Sequence, residues 1–426
     1  MSENEKNVPK RRFKEFDKND DWEQSIIGKT GYFYYGKSAP KWSVTKDSKT
    51  PCVRYGELYT KHTEKIDRIY SYTNIPRKNL KFSTGKEVLV PRVGEDPLDF
   101  ANCSWLSISD VAIGEMISVY NTEQNPLFTA YMFNALLKYE FAKRVEGGNV
   151  SNLYYVYLED IPVSFPSIDE QEKITTFLTN ISNLITLHQR KLEKMKALKK
   201  AYLTEMFPAE GECKPKLRFA GFTDDWEQCK FENAFTHLQN NSFSRAQLSY
   251  EKGEVLNVHY GDILVEYGEC LDVNDDVIPL IENKDLSDKY LNSFIENGDI
   301  IIADAAEDEI VGKCCEIKGL QGEKMISGLH TIPCRPSMKF ATGYLGYYMN
   351  SYAYHDQLLP LMQGTKVSSI SKSALTNTFI CYPRSIEEQE KIGAYFIELD
   401  NLITLHQRKL DKLQNIKKAY LNEMFI

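Results

Sequence analysis

The sequence predicts an α+β chain in which two β-rich bodies are separated by a pair of long coiled-coil helices. Three observations carry that expectation. NLITLHQRKL at residues 183–192 returns letter for letter at residues 401–410, 218 positions later. DEQEKI at 169–174 and KKAYL at 199–203 return around it as EEQEKI at 387–392 and KKAYL at 417–421. DWEQ at 21–24 recurs at 225–228, each time ahead of a long stretch punctuated by turns and β-branched or aromatic clusters. An internal repeat of this kind decides the architecture before local propensity does. The expected order is a leader (1–24), a first body (25–166), a helix (167–208), a linker (209–224), a second body (225–383) and a closing helix (384–426). The DWEQ marks lie 204 apart and the helices 218, so the second body is 14 residues longer.

The leader is polar and charged, and its first nineteen residues read as flexible, with Arg11, Arg12 and Phe13 as the residues able to dock. In the first body, residues 32–35, 53–59, 69–72, 87–91 and 105–108 carry strand-like clusters, and the apolar period over 128–139 predicts a helix. Lys37, Lys41, Lys46, Lys49, Arg54, Lys61, Arg68, Arg77, Lys78 and Lys81 are interleaved with six tyrosines there. As a group they suit phosphate contacts and base-edge reading; singly, each is an ordinary surface residue. Asn149 and Ser151 follow a Gly-Gly turn that suits either a phosphate rest or a plain turn.

The helix is recognised by its seam. Ile174, Ile181, His188 and Met195 run seven apart beside Leu178, Ile185 and Leu192; the closing helix repeats this with Ile392, Leu399, His406 and Leu413 beside Phe396, Ile403 and Leu410. That is a 3-4 apolar seam over about four heptads, the pattern of helices that pack along their length. The two seam histidines read as packed residues and not ligands. Ser167 with Glu170, and Ser385 with Glu388, have the S-x-x-E spacing of a capping box, which explains the carboxylates without catalysis.

In the second body, GDILV at 261–265 and GDIIIA at 298–303 read as buried strands introduced by Gly-Asp, and 343–354 as a helix with an aromatic stripe turned to the core. Its nucleic-acid candidates are fewer: Asn240, Asn241, Ser242 and Arg245 near the start, then Lys313, His330, Lys366 and Ser368; singly, each reads as an ordinary surface or turn residue. Neither body offers a metal-ligand spacing.

The net charge of −8 is unevenly placed. Residues 251–310 hold 17 Asp and Glu against 3 Lys, so the rest of the chain is net positive, and residues 1–100 hold 20 Lys and Arg against 15 acids. Such a distribution permits a cationic cleft. Nine cysteines, Cys314 and Cys315 adjacent and seven scattered, with no CxxC pair, point to free thiols and the cytoplasm, and no apolar run approaches a membrane span.

Taken together, the strand-end prolines followed by SIDEQEKI and SIEEQEKI, the helices ending KKAYLTEMF and KKAYLNEMF, and DWEQ after KLRFAGF resemble the DNA-specificity subunits of type I restriction–modification systems, over nearly the whole chain. The resemblance implies two target-recognition domains at opposite ends of an antiparallel helical pair, each reading one half of a bipartite sequence of double-stranded DNA. It implies two methyltransferase subunits and restriction subunits as partners. Chemistry and the cofactors S-adenosylmethionine, ATP and Mg would belong to those partners: this chain has no N-P-P-[FY] or D-P-P-Y run, no glycine-rich cofactor turn and no Walker motif. Two competing readings are a protein-binding coiled-coil scaffold without DNA specificity and a solitary DNA-binding or nuclease enzyme; the former leaves the two β-rich bodies unexplained, the latter lacks assembled catalytic residues.

Overall fold

In the computed structural model, residues 7–18, 21–45, 47–148, 150–209, 211–281, 288–307, 309–364 and 366–426 are described. The chain divides into two compact units, Met1–His188 with Lys409–Ile426, and Gln189–Arg408. Each unit contains one body and half of each long helix. The helices themselves are Ile168–Glu205 and Ile386–Glu423, 38 residues each.

The first unit is built on a five-stranded sheet in the order Gly31–Tyr35, Ile117–Thr122, Glu87–Pro91, Ser104–Leu106, Lys65–Ile66, antiparallel except for the last pair. Glu87–Pro91 is buried throughout because both faces are covered. Val88 and Val90 pack with Phe128 and Phe133 of the helix Pro126–Leu136. Leu89, pointing the other way, packs with Val53, Leu58 and Ile113 beneath a four-stranded sheet. A strand covered on both faces reads as a continuous apolar run, and EVLVP does. Its covering helix starts two residues earlier than the apolar period predicts: Asn125 caps it by accepting from the N–H groups of Leu127 and Phe128, and Pro126 sits at the first helical position.

The second unit repeats this plan: Phe235–His237, Thr331–Pro336, Ile300–Ala303, Cys314–Lys318, Cys270–Asp272, again with only the last pair parallel. Ile300 and Ile302 face Tyr344 and Tyr348, while Ile301 and Ala303 face Ile263 and Met325. The GDIIIA strand and the aromatic helix, Tyr344–Asn350, stand where the sequence puts them.

Two predicted strands are helices. Residues 53–59 contain the end of strand Thr50–Val53 and then the helix Tyr55–Thr60; residues 261–265 lie in the helix Tyr260–Val265. In each, an acid at the third helical position decides the outcome. Glu57 accepts from the Arg54 N–H at 3.0 Å and from Ser71, and Asp262 pairs with Arg245 at 2.6 Å, while His259 Nδ1 accepts from the Gly261 N–H. Capping outweighs the β propensity of the neighbouring aromatic and branched residues.

Within the first unit the start of the first long helix lies against the end of the second. Ile174 and Leu178 share the core with Met424 and Phe425, and the Phe177 and Tyr420 rings are 4.7 Å apart. Within the second unit the opposite ends meet: Ile392 and Phe396 pack with Met206 and Phe207, and Tyr202 meets Tyr395 at 5.5 Å. An antiparallel pair produces this exchange of ends. Ile181, Leu192, Leu399 and Leu410 are buried, and Ile185, His188, Met195, Ile403, His406 and Leu413 are half-buried. Gly393, on the second helix, is required by close approach, since a Cβ there would lie 2.4 Å from the Thr342 carbonyl oxygen.

The repeated EQEK motif has a different role from the one its spacing suggests. Ser167 and Ser385 do accept from the N–H of Glu170 and Glu388, but each glutamate side chain is taken by an arginine instead of returning to the cap. Arg12 donates two hydrogen bonds to Glu170 (2.8 and 2.7 Å), and Arg218 two to Glu388 (2.6 and 2.8 Å). The following glutamines tie each body to its helix. Gln171 accepts from the Asn125 N–H and donates to the Pro166 carbonyl, and Gln389 does the same with Ala341 and Pro383. Residues 7–18 are therefore docked, not a free leader: Phe13 packs on Phe177 as Phe219 packs on Tyr395.

Candidate nucleic-acid interface

In the first unit a four-stranded sheet, ordered Ser71–Thr73, Thr50–Val53, Ser109–Ile113, Phe82–Thr84, carries the loops that hold most of the cationic candidates. Ile113 fixes two of them: its carbonyl accepts from the Lys37 N–H at 2.8 Å and its own N–H donates to the Lys81 carbonyl at 2.9 Å. Ser43 ties the preceding loop to the neighbouring edge strand, its Oγ lying 2.8 Å from Thr73 Oγ1, with the Asn74 N–H donating to the Ser43 carbonyl. Lys37, Lys41, Lys49, Lys78 and Lys81 are all exposed there, and none has an ion pair among the described residues. Arg77 is paired with Asp110 and stacked over Phe82.

A second group surrounds Tyr70. Lys61 and Arg68 lie 5.5 and 5.4 Å from its ring centre, with Lys61 also paired to Glu57. Arg54 is half-buried at the cap of the helix Tyr55–Thr60. Lys46 and Asn149 lie outside the described residues. Ser151 is buried, its Oγ directed to the Gly148 carbonyl, so its side chain is committed to the turn. Gly147 and Gly364 both have φ near +119°, and a Cβ at either would strike the carbonyl of Val150 or Val367. The turn thus demands glycine for its own geometry.

The second unit holds its candidates differently. Asn241 is buried and donates to Asn257 and the Ser327 carbonyl, and Asn240 donates to the Gly328 carbonyl. Lys313 donates to the Leu264 and Tyr267 carbonyls, and burial lowers its pKa; it is a structural cation, withdrawn from the surface. Ser242, Arg245, His330 and Lys366 are exposed and Ser368 half-buried. Arg245 is bound to Asp262, and His330 Nδ1 lies 3.3 Å from Asp304. His330 has a φ of 52°, which sets its ring apart from the strand it precedes, edge-on to Tyr260. Part of the acidic stretch is neutralised in place: Asp299 by Arg335, Asp272 by Lys318, Glu269 by Lys199.

Sequence reading missed how closely the two bodies correspond. Arg54-Tyr55-Gly56-Glu57-Leu58 and His259-Tyr260-Gly261-Asp262-Ile263 occupy the same helix start, and the signal was present as YG followed by an acid. Asn134 brackets the Cys103 backbone, accepting from its N–H and donating to its carbonyl, as Asn350 does with Cys314. Lys417 reaches Glu64 at 2.8 Å over the Tyr131 ring, and Lys199 reaches Glu269 at 2.7 Å over the Tyr347 ring. The two lysines open the repeated KKAYL, but their partners and the two asparagines lie in stretches with little shared sequence. A common scaffold carries unlike exposed residues.

A family model described as the type I restriction modification DNA specificity domain matches residues 19–197 and 249–415. The type I restriction enzyme MjaVIII specificity subunit of Methanocaldococcus jannaschii is 24% identical over 419 residues, covering 95% of this chain and 92% of that protein. A putative type I restriction enzyme MjaX specificity subunit from the same organism is 24% identical over 285 residues, 64% of this chain and 60% of its own length. Among solved structures, the S subunit of a type I restriction-modification system from M. genitalium covers 98% of this chain and 99% of its own, with a TM-score of 0.60 at 13% identity, a likeness of fold.

Proposed function

Given that the chain belongs to the type I restriction–modification DNA specificity family, we propose that its two bodies are target-recognition domains that read the unequal halves of one bipartite duplex sequence. The observation that carries this reading is the pairing of one strand order with different exposed side chains. Phosphate contacts from the unpaired lysines would set affinity and register; base-edge contacts from the loops would set sequence. The helices would fix the unread spacer and hold methyltransferase subunits, with restriction subunits joining them. The chain itself would supply positioning, and S-adenosylmethionine, ATP and Mg would serve the partners. No helix among the described residues is long and apolar enough to cross a membrane.

The test is methylation mapping of genomic DNA from cells expressing this chain with its methyltransferase partner. A modified motif with two unequal halves and a fixed gap is expected, and exchanging residues 225–383 for another body should rewrite one half only. A folded complex that modifies no such motif would defeat the proposal. Assembly with other proteins and no sequence preference would favour the scaffold reading.

A further inference from the structure

Trp42 is the one tryptophan of four that the fold leaves outside: it is 72% exposed, while Trp22 and Trp226 are buried and Trp105 is half-buried. It sits on the short turn Lys41–Ser43, in a loop tied to its surroundings by hydrogen bonds and packing. The Glu115 N–H donates to the Ser38 carbonyl at 3.0 Å, Ala39 is buried beside Cys52 and Leu80, and Ser43 Oγ bonds the Pro40 carbonyl. Ser38 and Ala39 have φ of 70° and 61°, two consecutive non-glycine residues in the left-handed region. Such backbone is disfavoured and persists only where surrounding contacts impose it. The indole is therefore displayed on a fixed platform.

The second body shows that the fold does not need this ring. There the turn Arg245–Gln247 precedes Leu248, which pairs with Ile281, as Val44 after Trp42 bridges Thr73. At the matching positions the basic residue is kept, Lys41 against Arg245, and the tryptophan is replaced by Ala246. The ring is thus not required by the shared plan, and in the first body it stands beside a lysine that has no ion pair among the described residues.

Building on the specificity-subunit reading, we infer that Trp42 stacks on a base of the half-site read by the first body, with Lys41 and Lys37 on the adjoining phosphates. The occupant is nucleic acid: the loop is flanked by lysines without carboxylate partners among the described residues, a setting that attracts a polyanion. On a duplex the ring reaches a base face by wedging between base steps, and the unstacking this costs offsets part of the factor of about 5 to 150 in affinity that an aromatic ring stacked on an open base contributes.

The experiment uses the full chain assembled with its methyltransferase partner and a duplex carrying the bipartite sequence mapped for the wild type. W42A and W42L should bind that duplex more weakly, by up to about 150-fold, with W42F between them and the wild type. DNA should quench the indole emission of the wild type, and that change should vanish in W42A. Methylation by W42A should become degenerate in one half of the motif only. Wild-type affinity and an unaltered motif in W42A would overturn the inference, as would full affinity in W42L. Failure of W42A to assemble with the methyltransferase, with DNA binding of the free chain intact, would make Trp42 a protein contact and also overturn it. If the wild-type complex prefers no bipartite sequence, the underlying specificity reading fails and this inference falls with it.

Discussion

Glu388→Ala should destabilise the second unit, and its size follows from the burial of the pair it breaks. The carboxylate is 1% exposed and both oxygens accept from Arg218, which is 14% exposed and also donates to the Asp224 carbonyl at 2.6 Å. Removing one member of a buried ion pair costs about 3–5 kcal/mol, because the other charge is left uncompensated. The arginine keeps one carbonyl and a route to water, so Glu388→Ala belongs at the lower end, about 3 kcal/mol. Arg218→Ala strands a nearly inaccessible carboxylate and belongs nearer about 5 kcal/mol. For a unit of this size, about 3 kcal/mol lowers the melting temperature by roughly 6–12 °C. Thermal unfolding, with hydrogen exchange to localise the loss to residues 386–400, is the assay. Replacing both residues with leucine should recover most of the loss. If the double replacement is as damaging as the two single ones added together, the pair is not coupled and the argument is wrong. The same cycle on Arg12 and Glu170 should act on the first unit.

Glu316 is fully buried beside the N–H groups of Gly343 and Gly346, and burial lifts its pKa to about 7 from an ordinary 4.5. A raised carboxyl favours folding while protonated, so its contribution is complete below about pH 4.5 and is lost as pH rises through about 7. Between about pH 6 and pH 8.5 the wild type should lose about 1.4 kcal/mol that Glu316→Gln does not; parallel urea-unfolding profiles for the two chains would refute this. Leu178→Ala, at a fully buried seam position, should cost the first unit about 2–5 kcal/mol in denaturant unfolding. A neutral result would mean the helix is not held by its seam. Lys37→Ala and Lys81→Ala should each lower the salt slope of log K by about one and weaken all sequences alike. An unchanged slope would remove that lysine from the phosphate track.

The long helices and the strand at 298–303 were legible because each rests on a strong local signal: identity between copies with a heptad seam, or a continuous apolar run. The short helices at Tyr55–Thr60 and Tyr260–Val265 were not, since one turn of helix gives no period to count and depends on an acid meeting a partner 14 or 17 residues away. The site was legible only as a composition. Lys37 and Lys81 could be proposed together, but their shared anchor at Ile113 is a product of sheet pairing. Asn241 and Lys313 looked like surface residues because sequence does not reveal which polar groups are called inward to satisfy buried backbone. Trp42 has no signal in the sequence, because an isolated tryptophan is more often core than surface and only the burial pattern separates it from Trp22 and Trp226.

The exchange of helix ends also constrains the order in which the chain can fold during synthesis. The first unit needs Met424 and Phe425, since both are buried with Trp22 and Phe128 in its core. The second unit is contiguous, Gln189–Arg408, and can close on itself as soon as it leaves the ribosome. At about 5–20 residues per second, the first body must wait roughly 10–45 s for the segment that completes it. The body made first is thus the one finished last, and in the interval it must be shielded, or tolerate the exposure of its own unfilled core.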